Sequence, residues 1–304
     1  MSKIGRPQRT VVVNLKGGIG NQLFQYAFGL HLGLSDRFNL VFNDESYLNC
    51  PYSRKCIIQR LAPEVRLYRS SEFAGSNMHV LNEDGVPGIL TSEALLHAMI
   101  RSSSEICVLD GYWQKTAYVD GDSLMHIQRA FANLVPAPTN VMPPDLNEII
   151  NSSPFSVAVH IRRHDYKHHG ICQENYYVDC MRWIKEQRAQ AEFFVFSDEP
   201  NYVGYFLNQA GVQFRMIASG DDLLDLRIMA QCKSHVVSNS TYSLWAAYLT
   251  SSKLVIYPLP WDPWSHTPFE LFRPDWIGIR NAVKNIIDPV SFRGSLDKIV
   301  FPTQ

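Results

Sequence analysis

The sequence predicts an α/β fold in which the strands of a parallel, doubly wound sheet alternate with helices. Short apolar runs typical of buried strands recur along the chain, and stretches with helical spacing follow them. The 304 residues are 46% apolar and 19% charged, which suits one large or two moderate domains of roughly 100–200 residues each. No internal repeat or low-complexity tract interrupts this alternation.

Four strand-and-helix units can be placed in chain order, and a last strand closes the series. The predicted strands are 10–15, 155–161, 192–198, 212–217, 234–237 and 253–258, and the predicted helices begin at Asn21, Asn175, Asn201 and Tyr242. Between Cys50 and Leu109 the sequence shows no clear period. The half of the chain after residue 144 therefore has the better-defined alternation of strand and helix.

Two proline-rich stretches mark irregular structure. The first holds 4 prolines in the 11 residues from Leu134 to Pro144, and it predicts a linker between an N-terminal domain, 1–143, and a C-terminal domain, 144–304. The second, Pro258 to Pro268, also has four prolines, and it predicts a surface loop because proline interrupts helix.

Charge and cysteine content exclude several classes of protein. The formal charge of −1 and the isoelectric point near 6.8 give no global field for nucleic acid or anionic lipid. The six cysteines are scattered, as free thiols are. No apolar run reaches the roughly 18 residues of a membrane span. We therefore expect a cytoplasmic protein without an integral membrane segment and leave open peripheral association with the inner membrane face.

Polar clusters follow four predicted strands, where ligands bind in α/β sheets. They are 17–22, 160–165, 197–198 and 238–241. The glycine turn at 17–20 matches neither a dinucleotide fingerprint nor a phosphate loop, because it lacks a third glycine and a following Lys-Ser/Thr pair. It is either a plain strand-to-helix turn or a site where helix N–H groups face an anion.

The cluster after Val159 holds two arginines. By the strand period of two, His160 and Arg162 point to one side and Arg163 to the other. A guanidinium there suits a pair of phosphate oxygens, although Arg163 could instead form an ion pair with Asp165. His164, His168 and His169 lie nearby among basic residues that repel cations, so we predict no metal site.

The last cluster consists of Ser238, Asn239, Ser240 and Thr241. A helix N-cap accounts for one of these residues, and four in a row favour a second anion site. A helix with an apolar face precedes the cluster, and Asp225 lies near its N-terminal end.

These four clusters resemble, in order, the motifs of the bacterial α-1,2-fucosyltransferases. The matching segments are GGIGNQLFQYA from Gly17, HIRRHDY from His160, FSD from Phe196 and SNSTYSLW from Ser238. The resemblance spans 11–258 and implies a GT-B fold, with two Rossmann-like domains whose parallel sheets face each other across a cleft. It also implies GDP-L-fucose as co-substrate, no cofactor or metal, and inversion at the anomeric carbon.

The resemblance also implies roles for individual residues. Arg162 would be the catalytic group and hold the β-phosphate, while His160 and Arg163 would contact the donor. Asp225 would read the guanine edge, Ser240 and Thr241 would bind the diphosphate, and Gly18, Gly20 and Asn21 would face donor and acceptor from the mainly acceptor-side N-terminal domain. His164, Leu244 and Ala246 depart from the family pattern, which leaves loop shape and acceptor preference open.

We therefore expect a galactoside 2-α-L-fucosyltransferase acting on a galactose-terminated glycan, such as an O-antigen. A different acceptor or linkage, or a nucleotide-sugar-binding protein without turnover, are the alternatives. Asp44, Glu45 and Asp165 are candidate bases, and a dissociative reaction would need none. The aromatic residues Trp261, Trp264, Phe269, Phe272 and Trp276 would either stack on sugars or close the end of the domain.

Overall fold

A computed structural model describes residues 9–33, 38–48, 50, 54–86, 88–119, 121–135, 146–163, 170–261 and 268–280. The chain divides into two compact units, Met1–Leu134 and Val135–Gln304. The boundary predicted between 143 and 144, and most of the proline-rich linker, lie outside the described residues. Each unit contains one parallel β-sheet.

The first unit has a five-stranded sheet with the strand order β3-β2-β1-β5-β4, in which all pairs are parallel. Its strands are β1 (Arg9–Asn14), β2 (Phe38–Asn43), β3 (Leu67–Tyr68), β4 (Met78–Asn82) and β5 (Ile106–Asp110). Its helices are α1 (Ile19–Gly33), α2 (Ile58–Leu61), α3 (Ser92–Ser102) and α4 (Gly121–Ala132). Strands β3, β4 and β5 come from the region between Cys50 and Leu109, where the sequence shows no clear hydrophobic period.

Helix α1 follows β1 through a turn that requires glycine. Gly17 has φ +83°, and a Cβ at this position would lie 2.4 Å from Asn21 Nδ2, so other residues are strained there. The helix begins at Ile19, two residues before the predicted start. The buried residues of α1 include two polar side chains, Gln22 and Gln25, as well as its apolar residues.

The second unit has a six-stranded parallel sheet with the order β11-β10-β9-β6-β7-β8. Its elements are α5 (Leu146–Ser152), β6 (Phe155–Ile161), α6 (Glu174–Gln187), β7 (Ala191–Ser197), α7 (Pro200–Gln209), β8 (Arg215–Ile217), α8 (Asp222–Gln231), β9 (Ser234–Val236), α9 (Thr241–Tyr248), β10 (Leu254–Leu259) and β11 (Ile277–Arg280). The predicted α/β class with parallel sheets is confirmed in both units.

Strand β6 is the centre of the second unit, and all seven of its residues are buried. It pairs with β7 from Phe155 to Ile161 and with β9 from Val157 to Val159. Strands covered on both faces read as continuous apolar runs, as β6 does from Val157 to Val159. Polar chemistry in this part of the sheet is consequently concentrated where β6 ends.

Two details of the second unit differ from the sequence predictions. Strand β8 begins at Arg215 rather than at residue 212. The surface loop predicted from Pro258 was wrong at its start, because β10 continues through Pro258 and Leu259 and the next aromatic residue, Trp261, is buried. Residues 262–267, which include Trp264, lie outside the described part of the chain.

Three aromatic residues near the end of the described chain pack inside the second unit. Phe272 stacks on Tyr257 with ring centroids 3.8 Å apart and touches Trp261 edge-on at 5.3 Å. Trp276 lies 5.1 Å from the Tyr248 ring. Trp261, Phe272 and Trp276 therefore close the end of this unit as a hydrophobic clasp, whereas Phe269 is exposed.

All six cysteines are free. Among the described residues, no helix combines the length and apolarity needed to cross a bilayer.

Two glycine-to-alanine substitutions in helices should shift stability in opposite directions. At Gly29 in α1 a Cβ would lie 2.7 Å from Cζ of the buried Phe42 ring, so Gly29→Ala should destabilise the first unit by about 1–3 kcal/mol. At Gly204 in α7 the nearest atom would be 4.0 Å away, so Gly204→Ala should stabilise by roughly 0.5–1 kcal/mol. Urea unfolding of both variants tests the signs, and equal shifts would contradict this packing.

Candidate active site

The predicted site residues of the second unit lie where its strand order reverses. From β6 the chain proceeds to β7 and β8 on one side, and β9 to β11 lie on the other. Open α/β sheets bind ligands at the carboxyl ends of strands at such a reversal point. We call the ends of β6, β7 and β9, with the starts of α8 and α9, the β6–β9 edge.

Arg162 follows β6 and is held by a carboxylate that follows β7. Its Nε lies 3.1 Å from Asp198 Oδ2, and Asp198 Oδ1 accepts the backbone N–H of Arg163 at 3.0 Å. The register pairs Ile161 with Ser197. The residues that follow them, Arg162 and Asp198, therefore lie side by side. The bond through Nε restricts the orientation of the planar guanidinium. The Arg162 side chain as a whole is 30% exposed.

His160 is buried at the end of β6 and contacts the loop after β9. Its Nδ1 lies 2.9 Å from Ser238 Oγ, and its ring centroid is 5.2 Å from that of Tyr242. Burial, with a smaller contribution from the charge of Arg162, lowers the pKa of His160 to about 3. The imidazole is therefore neutral at physiological pH and can form hydrogen bonds without adding charge.

Ser240 is the N-cap residue of α9, yet its side chain forms no capping hydrogen bond. The residue is only 4% exposed. The Ser240 hydroxyl has no hydrogen-bond partner among the residues that the structure describes, and Thr241 begins the helix beside it. An unpaired hydroxyl at a helix N-terminus is suited to donate to an anion that the N–H groups also face.

Tyr242 connects this helix to α8. Its hydroxyl donates to the Asp222 carbonyl at 2.5 Å, so the starts of α8 and α9 lie together. Burial raises the pKa of Tyr242 well above its usual value; Asp222 and Asp225 raise it further, and Arg162 opposes them. These influences place Arg162 and both aspartates in one electrostatic environment.

Asp225 lies in the first turn of α8 and is partly buried. Its Oδ1 accepts the Ser219 backbone N–H at 3.0 Å, while Asp221 caps the helix by accepting from Leu223 N at 3.0 Å. Burial raises the pKa of Asp225. The carboxylate is thus anchored through one oxygen, on the same edge of the sheet as His160.

The side chain of Arg163 contacts residues of the same unit. Its Nε lies 3.3 Å from Glu199 Oε2 and its Nη1 3.8 Å from Glu174 Oε1. The guanidinium carbon is 4.2 Å from the Tyr202 ring centroid. These contacts hold α6 and α7 to β6, and the donor contact of Arg163 stays a prediction; Asp165, its alternative partner, lies outside the described residues.

Gly18, Gly20 and Asn21 belong to the first unit. Gly18 has no atom within 4 Å of a hypothetical Cβ, so the loop surface there is open. Asn21 Oδ1 accepts a hydrogen bond from Gln114 Nε2 at 2.9 Å, and Gly17 accepts one from the Tyr47 hydroxyl at 3.0 Å. These residues lie at the carboxyl end of β1, as the sequence predicts.

Two of the three candidate bases have partners that restrain them. Asp44 forms an ion pair with Arg69. Hydrogen bonds from Ser70 are the main cause that lowers the pKa of Glu45, which makes it a weaker base. Asp165, like His164, His168 and His169, lies outside the described residues. Within the described part of the chain, no group of three or more His, Cys, Asp or Glu side chains could hold a metal ion.

Sequence reasoning missed the functions of Asp198 and Tyr242, which orient Arg162 and connect α8 to α9. Asp198 had a usable signal, since it is the last residue of a predicted strand and lies in the polar cluster at that strand's end. Tyr242 had none, because its contact with Asp222 depends on how two helices pack.

Residues 137–280 match the model of glycosyl transferase family 11. The chain is 28% identical to an α-1,2-colitosyltransferase of Escherichia coli over 271 residues, which cover 83% of this chain and 92% of the relative. It is 27% identical to galactoside α-(1,2)-fucosyltransferase 2 of Sus scrofa over 138 residues, 40% of this chain and 41% of that one.

The fold is similar to that of a solved fucosyltransferase. The NodZ α-1,6-fucosyltransferase, co-crystallised with GDP, superposes with a TM-score of 0.50 at 13% identity, over 81% of this chain and 93% of that one. This similarity supports the GT-B-like α/β class.

The buried histidines predict how stability depends on pH. The pKa of His160 is lowered to about 3 and that of His235 to about 4, mainly by burial, whereas in the unfolded chain both titrate near 6.5. Below about pH 6.5 the unfolded state therefore binds protons that the folded state does not. We expect stability to fall from about pH 6.5 toward about pH 4, by up to about 1 kcal/mol per pH unit for each histidine.

Urea unfolding between pH 7 and 4.5 measures this slope. His235→Gln should make it shallower, since one proton-uptake site is lost from the unfolded state. His97→Gln is the matched control, because His97 is exposed on α3. Equal slopes for wild type and His235→Gln would contradict the neutral, buried state of His235.

Proposed function

We propose that this chain, a glycosyltransferase with a family 11 domain over residues 137–280, transfers L-fucose from GDP-β-L-fucose to the 2-hydroxyl of a terminal galactose. The observation that carries the proposal is the β6–β9 edge, where an oriented guanidinium, a neutral imidazole and the hydroxyl of a buried serine lie together at the reversal of strand order. The names of the two relatives support an α-1,2 linkage, and one of them supports a galactoside acceptor.

Arg162 is proposed as the chief catalytic group. When the bond between the sugar and the β-phosphate breaks, negative charge develops on the leaving diphosphate. A guanidinium already oriented by Asp198 can stabilise that charge without reorganising, and such donors are commonly worth ~3–4 kcal/mol each. Electrostatic stabilisation of this kind requires no metal ion.

The neighbouring groups are proposed to bind the donor. Ser240 and Thr241 would donate to diphosphate oxygens at the start of α9, where the helix N–H groups also favour negative charge. His160 would contribute a hydrogen bond without adding charge, because its pKa is lowered to about 3. Asp225 would accept from the N–H groups of guanine, and it is held for that role by the Ser219 N–H.

The first unit is proposed to supply the loop containing Gly18, Gly20 and Asn21. The open surface at Gly18 would allow a sugar close to the backbone, and Asn21 is positioned by Gln114.

The proposed step is an in-line displacement. The acceptor hydroxyl oxygen forms a bond to the anomeric carbon on the face opposite the diphosphate, and GDP leaves with the electron pair of the broken C–O bond. The hydroxyl proton passes to solvent or to a base. A β-linked donor thereby yields an α-linked product.

A second candidate keeps the same site but changes the sugar or the acceptor. The E. coli relative that matches 83% of this chain is named for colitosyl transfer, so a related deoxy sugar is an alternative to fucose. The Sus scrofa relative aligns over only 40% of this chain, and a different acceptor or linkage is compatible with that partial match. A nucleotide-sugar-binding protein without turnover is the remaining alternative.

A panel of donors and acceptors tests the proposed reaction. We expect GDP release from GDP-L-fucose with lactose, undiminished by EDTA, and slower release with GDP-mannose. The NMR spectrum of the product should show fucose α-linked to the 2-position of galactose. GDP binding without release would favour a binding protein, and loss of activity in EDTA would contradict the arginine-based account.

Substitution of Arg162 tests the catalytic assignment. Arg162→Ala should lower kcat by at least ~100-fold, and Asp198→Asn should lower it less, because the guanidinium remains but is no longer held by a charge. Arg182→Ala is the matched control, because Arg182 donates to the Ala210 carbonyl at the end of α7 and should leave kcat unchanged. Near-wild-type turnover of Arg162→Ala would refute the role of Arg162.

A further inference from the structure

The first sheet has its own point of strand-order reversal, and a polar cluster lies there. The chain runs from β1 to β2 and β3 on one side, while β5 and β4 lie on the other. Lys16 follows β1, Asp110 ends β5 and Tyr112 comes two residues later. We call these three residues the β1–β5 edge. Open α/β sheets bind ligands at the carboxyl ends of strands where the strand order reverses, so a ligand is expected here as at the β6–β9 edge.

Lys16 and Asp110 form an ion pair across this edge. Lys16 Nζ lies 3.0 Å from Asp110 Oδ1, and Asn14 Nδ2 donates to the same oxygen at 3.4 Å. In the part of the chain that the structure describes, Asp110 Oδ2 receives no hydrogen bond. The two side chains are 32% and 34% exposed. A carboxylate oxygen and an ammonium group are thus accessible side by side.

Tyr112 presents an aromatic ring beside this pair. Its side chain is an exposed hydrophobic surface, 42% accessible. Lys16 Nζ lies 5.2 Å from the ring centroid, so ring, ammonium and carboxylate are neighbours. An aromatic face with a nearby donor and acceptor matches a sugar, which has an apolar C–H face and a rim of hydroxyls.

The backbone at Tyr112 is fixed by the Glu83 carboxylate and by the buried ring of Trp113. Glu83 Oε2 accepts the N–H of Tyr112 at 2.7 Å, and Glu83 Oε1 accepts that of Trp113 at 3.1 Å. Trp113 has φ +55°, an uncommon conformation for a bulky residue. Its buried ring stacks on Phe28 with centroids 4.2 Å apart.

One fully buried glutamine fixes both sides of the β1–β5 edge. Gln25 Oε1 accepts the Lys16 N–H at 3.0 Å, and Gln25 Nε2 donates to the Gly111 carbonyl at 3.0 Å. The loops that carry Lys16 and Tyr112 are therefore held at a set separation. Such preorganisation is what a binding site needs, because less conformational freedom is lost on binding.

We propose that Lys16, Asp110 and Tyr112 form a subsite for a neutral hexopyranose. The Tyr112 ring stacks on the C–H face of the sugar, Asp110 Oδ2 accepts from one hydroxyl and Lys16 donates to another. The opposite charges of the pair cancel, so this edge has no net charge to attract a phosphate and favours a neutral sugar over a nucleotide. That the sugar belongs to the acceptor glycan rests on the proposed function.

Kinetics of variants test this subsite. We expect Tyr112→Ala to raise the acceptor KM about 10-fold or more, the scale of losing one anchoring aromatic contact. Tyr112→Phe should stay within about 3-fold, because it keeps the stacking face. Neither variant should change kcat at saturating acceptor or the Kd for GDP measured by calorimetry.

Two further variants serve as a control for Tyr112→Ala and as a test of the Asp110 carboxylate. Tyr205→Ala removes another exposed tyrosine, 65% accessible on α7 in the second unit, and should leave the acceptor KM unchanged. Asp110→Asn tests the carboxylate with little change of shape, and should raise the acceptor KM while the Kd for GDP stays constant.

Two results would overturn the subsite. An acceptor KM for Tyr112→Ala equal to that of wild type would remove Tyr112 from acceptor binding. A weaker Kd for GDP in Tyr112→Ala would assign the ring to the nucleotide instead.

Saturation-transfer NMR with methyl β-D-galactoside separates this proposal from the proposed function, because it requires neither donor nor turnover. Signal with wild type that is lost in Tyr112→Ala supports the subsite, even when no fucose is transferred. Fucosyl transfer by wild type, combined with equal NMR signals and equal KM values for Tyr112→Ala, refutes the subsite and leaves the function intact. Absence of signal with the wild type also overturns the subsite.

Discussion

Complete burial of β6 constrains where the second unit can place polar groups. The strand is covered along all seven residues, and burying an unpaired charge within it would cost several kcal/mol or more. Charged side chains therefore come directly after the strand, where the backbone reaches the edge of the sheet. The parallel register with β7 then brings Asp198 beside Arg162, and the pairing with β9 brings Ser238 to His160. The arrangement of the candidate site follows from these two pairings.

Sequence analysis predicted β6 to β10 of the second unit but not β11, and it placed His160 and Arg162 at the end of β6. Local patterns are sufficient for this, because an apolar run and its polar end are adjacent in the chain. The partners of these residues could not be predicted in the same way. Arg163 contacts Glu174 and Glu199, and which acidic residues it meets depends on how α6 and α7 pack onto the sheet.

The continuation of β10 through Pro258 shows why one local rule failed. Proline lacks the N–H that a central strand uses in its ladder. Strand β9 pairs with β10 only as far as Ile256, whose carbonyl accepts the Val237 N–H. Hydrogen-bonding directions alternate along a strand, so residue 258 faces the side where β9 has already ended. Its missing N–H costs no ladder bond, which cannot be read without the sheet order.

Key contacts of the first unit are made by side-chain amides, which hydrophobic periodicity does not reveal. Gln22 and Gln25 lie on a helix whose spacing suggests an apolar face, and a buried glutamine is unusual in such a pattern. Each amide compensates for its burial by bonding the backbone of distant loops, as between Gln22 and Lys55 or between Gln25 and Gly111. Neither partner can be identified from periodicity.

The paired hydrogen bonds of Gln25 have a dynamic consequence. Because one side chain holds both the Lys16 N–H and the Gly111 carbonyl, the two loops cannot fluctuate independently without breaking a buried bond. They should open and close as a single cooperative element, so ordering either loop lowers the entropy cost of ordering the other. Substitutions at exposed positions such as Tyr112 can then change the side chains presented at this edge while the frame beneath keeps its shape.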